Sequence, residues 1–289
     1  MLRQLSRQKE LAMSYASILT HFAVEPEAET RLALAADLAN QFDAALIGVG
    51  AEFFEPPAIS QSMGYVDGGT LVAEAKAVQD DLRRAEAKFR EVGGTVHAGA
   101  PVRAGVGLPW DLVAEEARAA DLIVCGRSRP DKWGLHNHAD PGDVLMLAGR
   151  PVLVVPPELA KLDASSVLVA WKDTRESRRA VYDALPFLKR ARQVLVAEVC
   201  EKSDEEDARA RTADVAEYLG RHGVKCSTAV RECGHGLPSA ALAQMAEMQD
   251  AGLIVAGGYG HARLREWVFG GVTRDLLAGA ARTAVLLSH

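Results

Sequence analysis

The sequence contains one α/β unit twice, and this duplication limits the folds open to the chain more than any other feature. The segment AADLIVCGR at 119–127 resembles DAGLIVAGG at 250–258, and AGRPVLVV at 148–155 resembles AARTAVLL at 280–287. Each copy is long enough for several strands and helices, which indicates a duplicated domain rather than a solenoid of short repeats. A chain of 289 residues accommodates two such domains.

Continuous apolar runs in both halves predict strands that are covered on two faces. These runs lie at 17–22, 45–49, 95–98, 121–125 and 151–155, and again at 167–171, 194–199, 225–230, 253–256 and 283–287. Helical patterns between them lie at 29–42, 72–92 and 108–119, and again at 177–191, 204–222 and 238–248. The alternation predicts parallel sheets with right-handed crossovers. We therefore expect an α/β fold of two tandem Rossmann-like domains, each a five-stranded parallel sheet with helices on both faces.

The domain limits follow from prolines and composition. Pro156 and Pro157 open a linker that runs to Asp163, because proline cannot continue a central strand. We predict an N-terminal extension at 1–12, a first domain at 13–157 and a second at 163–289. The segment from Glu52 to Thr70 is predicted to be a long loop, which could cap a pocket, meet a partner subunit or simply be a mobile insertion.

Charge and cysteine content narrow the functional classes. The net charge of −6 gives no general attraction to nucleic acid or to an anionic membrane. No apolar run reaches the length of a membrane span. The four cysteines form no CxxC pair, so reduced thiols in a cytoplasmic protein are expected.

A glycine pattern in the second half predicts an anion site. The apolar run at 253–256 ends in Gly257, Gly260 follows, and after nine further residues Gly270 precedes a new helical pattern. A strand, a glycine turn and a helix start together leave backbone N–H groups free to bind phosphate, although such glycines also have purely structural uses.

The spacing G-x2-G-x9-G, followed by a small residue and Val272-Thr273, resembles the nucleotide-binding motif of the universal stress protein family. The resemblance covers nearly the whole chain from about Met13 and implies a cytoplasmic protein that binds ATP or a related adenine nucleotide. It also implies pairing through the last strands, within the chain and in a homodimer. The residues that would hold the nucleotide by resemblance are Ala170, Trp171, Lys172, Ala256, Gly257, Gly260, His261, Gly270, Gly271, Val272 and Thr273.

This sequence departs from the family pattern at two of these positions. Gly271 stands where ATP-binding members usually carry a serine or threonine, and Lys172 stands where they carry an aspartate that contacts the nucleotide. Asp173 follows one position later. Trp171 could border the base or belong to the core. Arg263 and Arg265 could reach phosphate from the loop above.

The first half is predicted to be degenerate as a nucleotide site. Arg129 replaces the second glycine of the turn, and Asp143 is expected where a phosphate would approach the helix start. A carboxylate there favours the helix dipole and repels phosphate.

Other chemistry has weaker support in the sequence. His222, Cys226, Cys233 and His235 match no zinc signature, and His136 with His138 form a lone HxH, so no metal site is predicted beyond the Mg²⁺ that can accompany ATP. No nucleophile elbow, Walker loop or paired catalytic cysteine is present, which predicts no catalytic residue.

Three functions are consistent with these features. The first is a stress-response protein regulated by an adenine nucleotide in its second half. The second is a nucleotide-independent scaffold that binds a partner protein or a small ligand. The third, an ATP-hydrolysing enzyme, lacks a recognisable catalytic set.

Overall fold

The computed structural model describes residues 14–25, 27–53, 68–127, 138–233, 237–259, 271–278 and 283–289. Within these ranges ten strands form one continuous sheet with helices on both faces. None of the helices in the same ranges is both long and apolar enough to cross a membrane.

The two halves contain matching elements. In the first half the strands are β1 (Ser17–Phe22), β2 (Ala45–Glu52), β3 (Val102–Val106), β4 (Leu122–Gly126) and β5 (Val152–Val155), and the helices are α1 (Ala28–Phe42), α2 (Gly68–Gly93), α3 (Pro109–Glu116) and α4 (Pro141–Ala148). In the second half the strands are β6 (Ser166–Trp171), β7 (Gln193–Cys200), β8 (Ser227–Glu232), β9 (Leu253–Gly257) and β10 (Ala284–Ser288), and the helices are α5 (Arg175–Asp183), α6 (Leu185–Leu188), α7 (Glu205–Arg221), α8 (Pro238–Met248) and α9 (Gly271–Ala278). Short 3-10 turns lie at Ala117–Ala119 and Lys202–Asp204.

The strand order is β3-β2-β1-β4-β5-β10-β9-β6-β7-β8. Each half is a parallel five-stranded sheet, and the halves join where β5 and β10 pair antiparallel, with Val154 opposite Val285. The α/β fold of two Rossmann-like units is thus confirmed, and the expected pairing of last strands occurs within the chain. In each half the order reverses beside the first strand, which places a ligand crevice at the carboxyl ends of β1 and β4 and of β6 and β9.

Alternating side chains of the strands build two cores. We call face A the side covered by α1, α2, α5, α6 and α7, with Phe22 and Trp171 in its core. Face B is the side covered by α3, α4, α8 and α9, with Leu19 and Ala170 in its core. The strands carry apolar residues in both directions because both faces are covered.

The strand predicted at 95–98 is wrong. The N–H groups of Thr95 and Val96 donate to the carbonyls of Val92 and Gly93, at 3.1 and 3.0 Å, so this segment is a turn that closes α2. The third strand is instead Val102–Val106, paired with β2. A short apolar run could not reveal that its hydrogen bonds go back to a helix.

Two further boundaries differ from the sequence reading. The helix predicted at 177–191 is two helices, α5 and α6, because Pro186 has no N–H to continue the ladder. The loop predicted from Glu52 to Thr70 is shorter at both ends, since Glu52 belongs to β2 and α2 begins at Gly68. Residues 54–67 lie outside the described ranges.

Candidate functional site

The second-half crevice begins with two small side chains. Ala170 near the end of β6 pairs in register with Ala256 of β9, and both side chains lie in the face B core. The two side chains at the carboxyl ends of these central strands are therefore single methyl groups, and both are buried. This is the position at which open α/β sheets bind their ligands.

The three residues predicted together at the end of β6 are separated by the structure. Ala170 points to face B, whereas Trp171 is 8% exposed and packs in the face A core. Lys172 is exposed beyond the strand. Asp173 forms an ion pair with Arg178 of α5 at 2.5 Å. The alternation of a strand accounts for the split, because successive side chains point to opposite faces.

Gly257 has a structural role of its own. A Cβ atom at this position would lie 2.6 Å from the backbone nitrogen of Ser177 in the first turn of α5. The absence of a side chain therefore lets β9 and α5 approach closely. The next residue, Gly258, donates its N–H to the carbonyl of Ser288 at 2.8 Å, which holds the exit of β9 against the end of β10.

The start of α9 is tied to the exit of β9 by Thr273. Its hydroxyl oxygen accepts a hydrogen bond from the N–H of Tyr259 at 3.2 Å, and its side chain is buried. Tyr259 has a left-handed backbone with φ of 56°. The bond therefore stabilises a backbone conformation that a non-glycine residue seldom adopts.

Gly271, the first residue of α9, has no described atom close to the position that a side chain would take. A Cβ atom at Gly271 would meet no described atom within 4 Å. The following residue, Val272, is partly buried and packs against the face B core, to which Ala170 and Ala256 also belong. The structure thus brings Ala170, Ala256, Val272 and Thr273 to one side of the sheet. Gly260, His261, Gly270, Arg263 and Arg265 lie outside the described ranges.

The equivalent crevice of the first half is filled by larger side chains. His21 occupies the place of Ala170, and the buried guanidinium of Arg31 donates to the carbonyl of His21 at 3.1 Å. Arg31 also forms an ion pair with Glu25. A Cβ at Gly126 would lie 2.9 Å from Nη1 of Arg31, so this arginine reaches the exit of β4.

Burial sets the protonation of two groups in this crevice. Burial, followed by the charge of Arg31, lowers the pKa of His21 to about 4, so the ring is neutral near pH 7. Its Nε2 lies 3.2 Å from the carbonyl oxygen of Ala51. Burial also raises the pKa of the Cys125 thiol to about 12, which keeps it protonated.

The N-terminus of α4, the helix that follows β4 in the first half, is capped by the side chain of Asp140. The carboxylate of Asp140 accepts from the N–H groups of Gly142 and Asp143, at 2.8 and 3.3 Å. The group that meets the helix N–H groups is therefore Asp140 rather than Asp143, the residue expected from the sequence. Asp143 lies within the first turn, where burial and the charge of Asp140 raise its pKa.

Sequence reasoning overlooked two residues that shape this crevice. Asp140 could have been found, because an aspartate directly before a proline that opens a helix is a typical N-cap signal. Arg31 could not, because an arginine in the middle of an apolar helix pattern gives no sign of which neighbour it reaches.

Metal ligands do not gather in the parts of the chain that the structure describes. No group of three or more His, Cys, Asp or Glu side chains there could hold an ion. Cys226 is partly buried against the face A core, and the pKa of its thiol is raised by burial. His136 and His235 lie outside the described ranges.

Comparison with solved structures identifies the fold. A universal stress protein from Archaeoglobus fulgidus DSM 4304 matches 94% of this chain and 98% of its own, with 16% identity and a TM-score of 0.66. A candidate universal stress protein from Pseudomonas aeruginosa UCBPP-PA14 matches 97% of this chain and 94% of its own, with 18% identity and a TM-score of 0.57. A functionally unknown protein from Pseudomonas aeruginosa PAO1 matches 97% and 94%, with 17% identity and a TM-score of 0.53.

These likenesses extend over both halves, so the chain has the universal stress protein fold in its two-unit form. No protein-family model matches the sequence, and no curated protein does either. At identities below 20% the likeness is one of fold, and a ligand has to be argued from this chain's own residues.

Proposed function

We propose that the chain is a cytoplasmic stress-response protein that binds an adenine nucleotide, ATP or AMP, in its second half as a regulatory ligand. The observation that carries this proposal is the difference between the two crevices. In the second half the strand ends carry the methyl groups of Ala170 and Ala256, whereas in the first half the larger side chains of His21 and Cys125 hold the corresponding register positions. The smaller side chains of the second half favour this crevice over that of the first half as the ligand site.

The start of α9 supplies the anion-binding element of this proposal. The N–H groups of the first turn of a helix have no partner within the helix, and the helix dipole favours negative charge there. In α4 the carboxylate of Asp140 takes those donors. In α9 the first residue is Gly271, where a Cβ atom would meet no atom of the described residues within 4 Å. We expect the phosphates to bind there, with any Mg²⁺ arriving as part of the ATP complex.

Nucleotide binding by this chain would depend on the backbone more than on an acidic side chain. Lys172 stands in the place of the family's aspartate, and Asp173 is paired with Arg178. The proposal therefore assigns the base and ribose to the crevice above Ala170 and Ala256. It assigns no catalytic residue, so the nucleotide is bound and not turned over. A homodimer would use surfaces other than β5 and β10, which already pair within the chain.

The first test asks whether nucleotide binds at all. The purified full-length chain is denatured and the supernatant is analysed for adenine nucleotides, and the nucleotide-free protein is then titrated calorimetrically with ATP and AMP. Binding without release of phosphate supports the proposal. If no nucleotide is released and millimolar ATP gives no heat, the nucleotide hypothesis is wrong and the nucleotide-independent scaffold is favoured. Steady phosphate release would contradict the assignment as a non-enzyme.

The second test places the phosphates with a matched pair of variants. Gly271→Asp puts a carboxylate at the start of α9, where it suits the helix dipole and repels phosphate. Gly271→Ala adds only a methyl group, which would lie more than 4 Å from every described atom. We expect at least a tenfold loss of ATP affinity for the aspartate variant and little change for the alanine variant. Equal affinities in both would place the ligand elsewhere.

A further inference from the structure

Tyr259, which follows β9, is held in a backbone conformation that costs free energy. Its φ of 56° lies in the left-handed region, which residues other than glycine seldom adopt. The other non-glycine residues with positive φ in the described ranges are Asp43 and Asp250, which follow helix ends, and aspartate enters this region more readily than tyrosine does. A strained residue persists only where its surroundings fix it, so the contacts of Tyr259 have to hold it in this conformation.

The side chain of Tyr259 reaches out of the second half and contacts the first. A Cβ atom at Gly142 would lie 2.7 Å from the phenol oxygen, so the end of the ring lies against the first turn of α4. Burial, followed by the charges of Asp140 and Asp143 at the same helix end, raises the pKa of the hydroxyl and keeps it protonated. The ring itself is partly buried against the face B core. The phenol is therefore anchored on a helix of the other half.

The backbone next to Tyr259 also lies against α4. A Cβ atom at Gly258 would lie 2.5 Å from Cδ2 of Leu145, one turn further along this helix. The absence of a side chain at Gly258 thus lets the exit of β9 approach the first half closely. Two consecutive residues after β9 contact the same helix, so the position of α4 determines where this turn lies.

The first half makes the reciprocal contact. In the sequence repeat Arg127 corresponds to Gly258, and it follows β4 as Gly258 follows β9. Its guanidinium donates to the carbonyl of Thr283, directly before β10, at 2.9 Å. The exit of each of these two strands is therefore supported by the opposite half of the chain.

The backbone of Tyr259 connects this anchor to the proposed phosphate site. Its N–H donates to the hydroxyl oxygen of Thr273 in the first turn of α9, the turn that begins at Gly271. If the ring left α4, the strained backbone would be free to relax, and the direction of this N–H would change with it. The side chain of Tyr259 thus contacts the first half, while its backbone contacts the helix start in the second half.

We propose that Tyr259 is a positioning residue of the second-half nucleotide site and that α4 of the first half holds it in place. This inference rests on the proposed nucleotide function. The ring on α4 maintains the left-handed backbone, and that backbone orients the first turn of α9 toward the phosphates. Nucleotide affinity in the second half therefore depends on packing in the first half.

The first test compares the ATP affinity of full-length variants by calorimetry. Tyr259→Phe keeps the ring and should bind ATP within about twofold of the wild type, whereas Tyr259→Ala removes the anchor and should bind at least about fivefold more weakly, since an unanchored residue leaves the left-handed region. Each titration is made where the variant is fully folded, so that a loss of stability alone does not lower the affinity. Wild-type affinity in Tyr259→Ala overturns this proposal and leaves the nucleotide function standing. A wild-type chain that binds no ATP contradicts the nucleotide function and this proposal with it.

The second test changes only the first half. Gly142→Ala places a methyl group 2.7 Å from the phenol oxygen and should weaken ATP binding by about fivefold, but it should cause no further loss in the Tyr259→Ala background, where the ring is already absent. An effect that arose through the nearby cap of Asp140 would persist in that background, so additive losses overturn the proposal. Met146→Ala, at an exposed position of the same helix, is the matched control and should bind as the wild type does.

Amide hydrogen exchange tests the connection without a ligand. In the ¹⁵N-labelled full-length protein, Gly142→Ala should accelerate exchange of the Tyr259 N–H at least about tenfold, because its bond to Thr273 opens more often. Met146→Ala should leave this rate unchanged. An unchanged rate in Gly142→Ala contradicts the proposal even if Tyr259→Ala fails to fold.

Discussion

The backbone N–H of Tyr259 donates to the hydroxyl oxygen of Thr273 at 3.2 Å, and this bond connects the exit of β9 to the first turn of α9. By family resemblance, Thr273 is one of the residues that would hold the nucleotide. In the structure it already holds the turn on which the proposed phosphate site depends. A residue of the motif can thus support a ligand by fixing the backbone around it.

Removal of this hydroxyl should destabilise the second half. Thr273→Val keeps the shape of the side chain but leaves the N–H of Tyr259 without its acceptor, and we expect the free energy of unfolding to fall by about 1 to 3 kcal/mol. Thr273→Ser keeps the oxygen and is the control, with a smaller loss. Urea denaturation followed by circular dichroism measures both. Equal losses would show that the methyl group matters more than the hydrogen bond.

Two glycines of the motif should respond oppositely to alanine. Gly257→Ala forces a methyl group against the backbone of α5, and overpacking of this kind typically costs about 1 to 3 kcal/mol. Gly271→Ala gains helix propensity, and its methyl group would contact none of the described atoms, so the free energy of unfolding should be unchanged or higher by up to about 1 kcal/mol. Thermal unfolding of the two variants and the wild type in one buffer measures these changes in stability. A Gly257→Ala protein as stable as the wild type would contradict the close approach.

His21 should make stability depend on pH. Its pKa is about 4 in the folded chain and 6.5 for an ordinary histidine, so the unfolded chain takes up a proton between these values and the folded chain does not. The stabilisation is complete above pH 6.5 and is lost as the pH falls toward 4, by about 3 kcal/mol in total.

Urea denaturation at pH 7 and pH 5 measures this loss. His21→Gln should lose less stability over the same interval than the wild type, because it removes the group that titrates. His97→Gln replaces an exposed histidine and should behave as the wild type does. Identical pH profiles for wild type and His21→Gln would show that other groups control acid sensitivity.

The two halves should associate when they are produced separately. Fragments 13–157 and 163–289 would each expose one edge strand, β5 or β10, and an unpaired apolar edge readily pairs with another strand. Contacts across the joint add to this, including the rings of Phe42 and Phe187 at 5.2 Å and the hydrogen bond from Arg127 to the Thr283 carbonyl at 2.9 Å. Light scattering after size exclusion should show a 1:1 complex on mixing. Two stable monomers in the mixture would contradict this expectation.

The motif predicts a difference between the two crevices, but it does not identify the residues that line the crevice of the first half. The replacement of Gly by Arg129 predicts a degenerate site in the first half, and Arg129 itself lies outside the described ranges. His21 and Arg31 line the described part of this crevice and lie more than ninety positions earlier in the chain than Arg129. Only the parallel pairing of β1 with β4 brings them beside the exit of β4.

By itself the sequence determined the α/β class, the duplication and the position of nearly every strand. Continuous apolar runs of this length have few alternatives to buried strands, and two similar halves impose the same topology twice. Tertiary structure alone decided that 95–98 closes a helix and that Arg31 reaches the carbonyl of His21. Each of these depends on which partner a backbone or side-chain group finds. That choice is set by long-range packing, because the local residue pattern allows several partners of similar free energy.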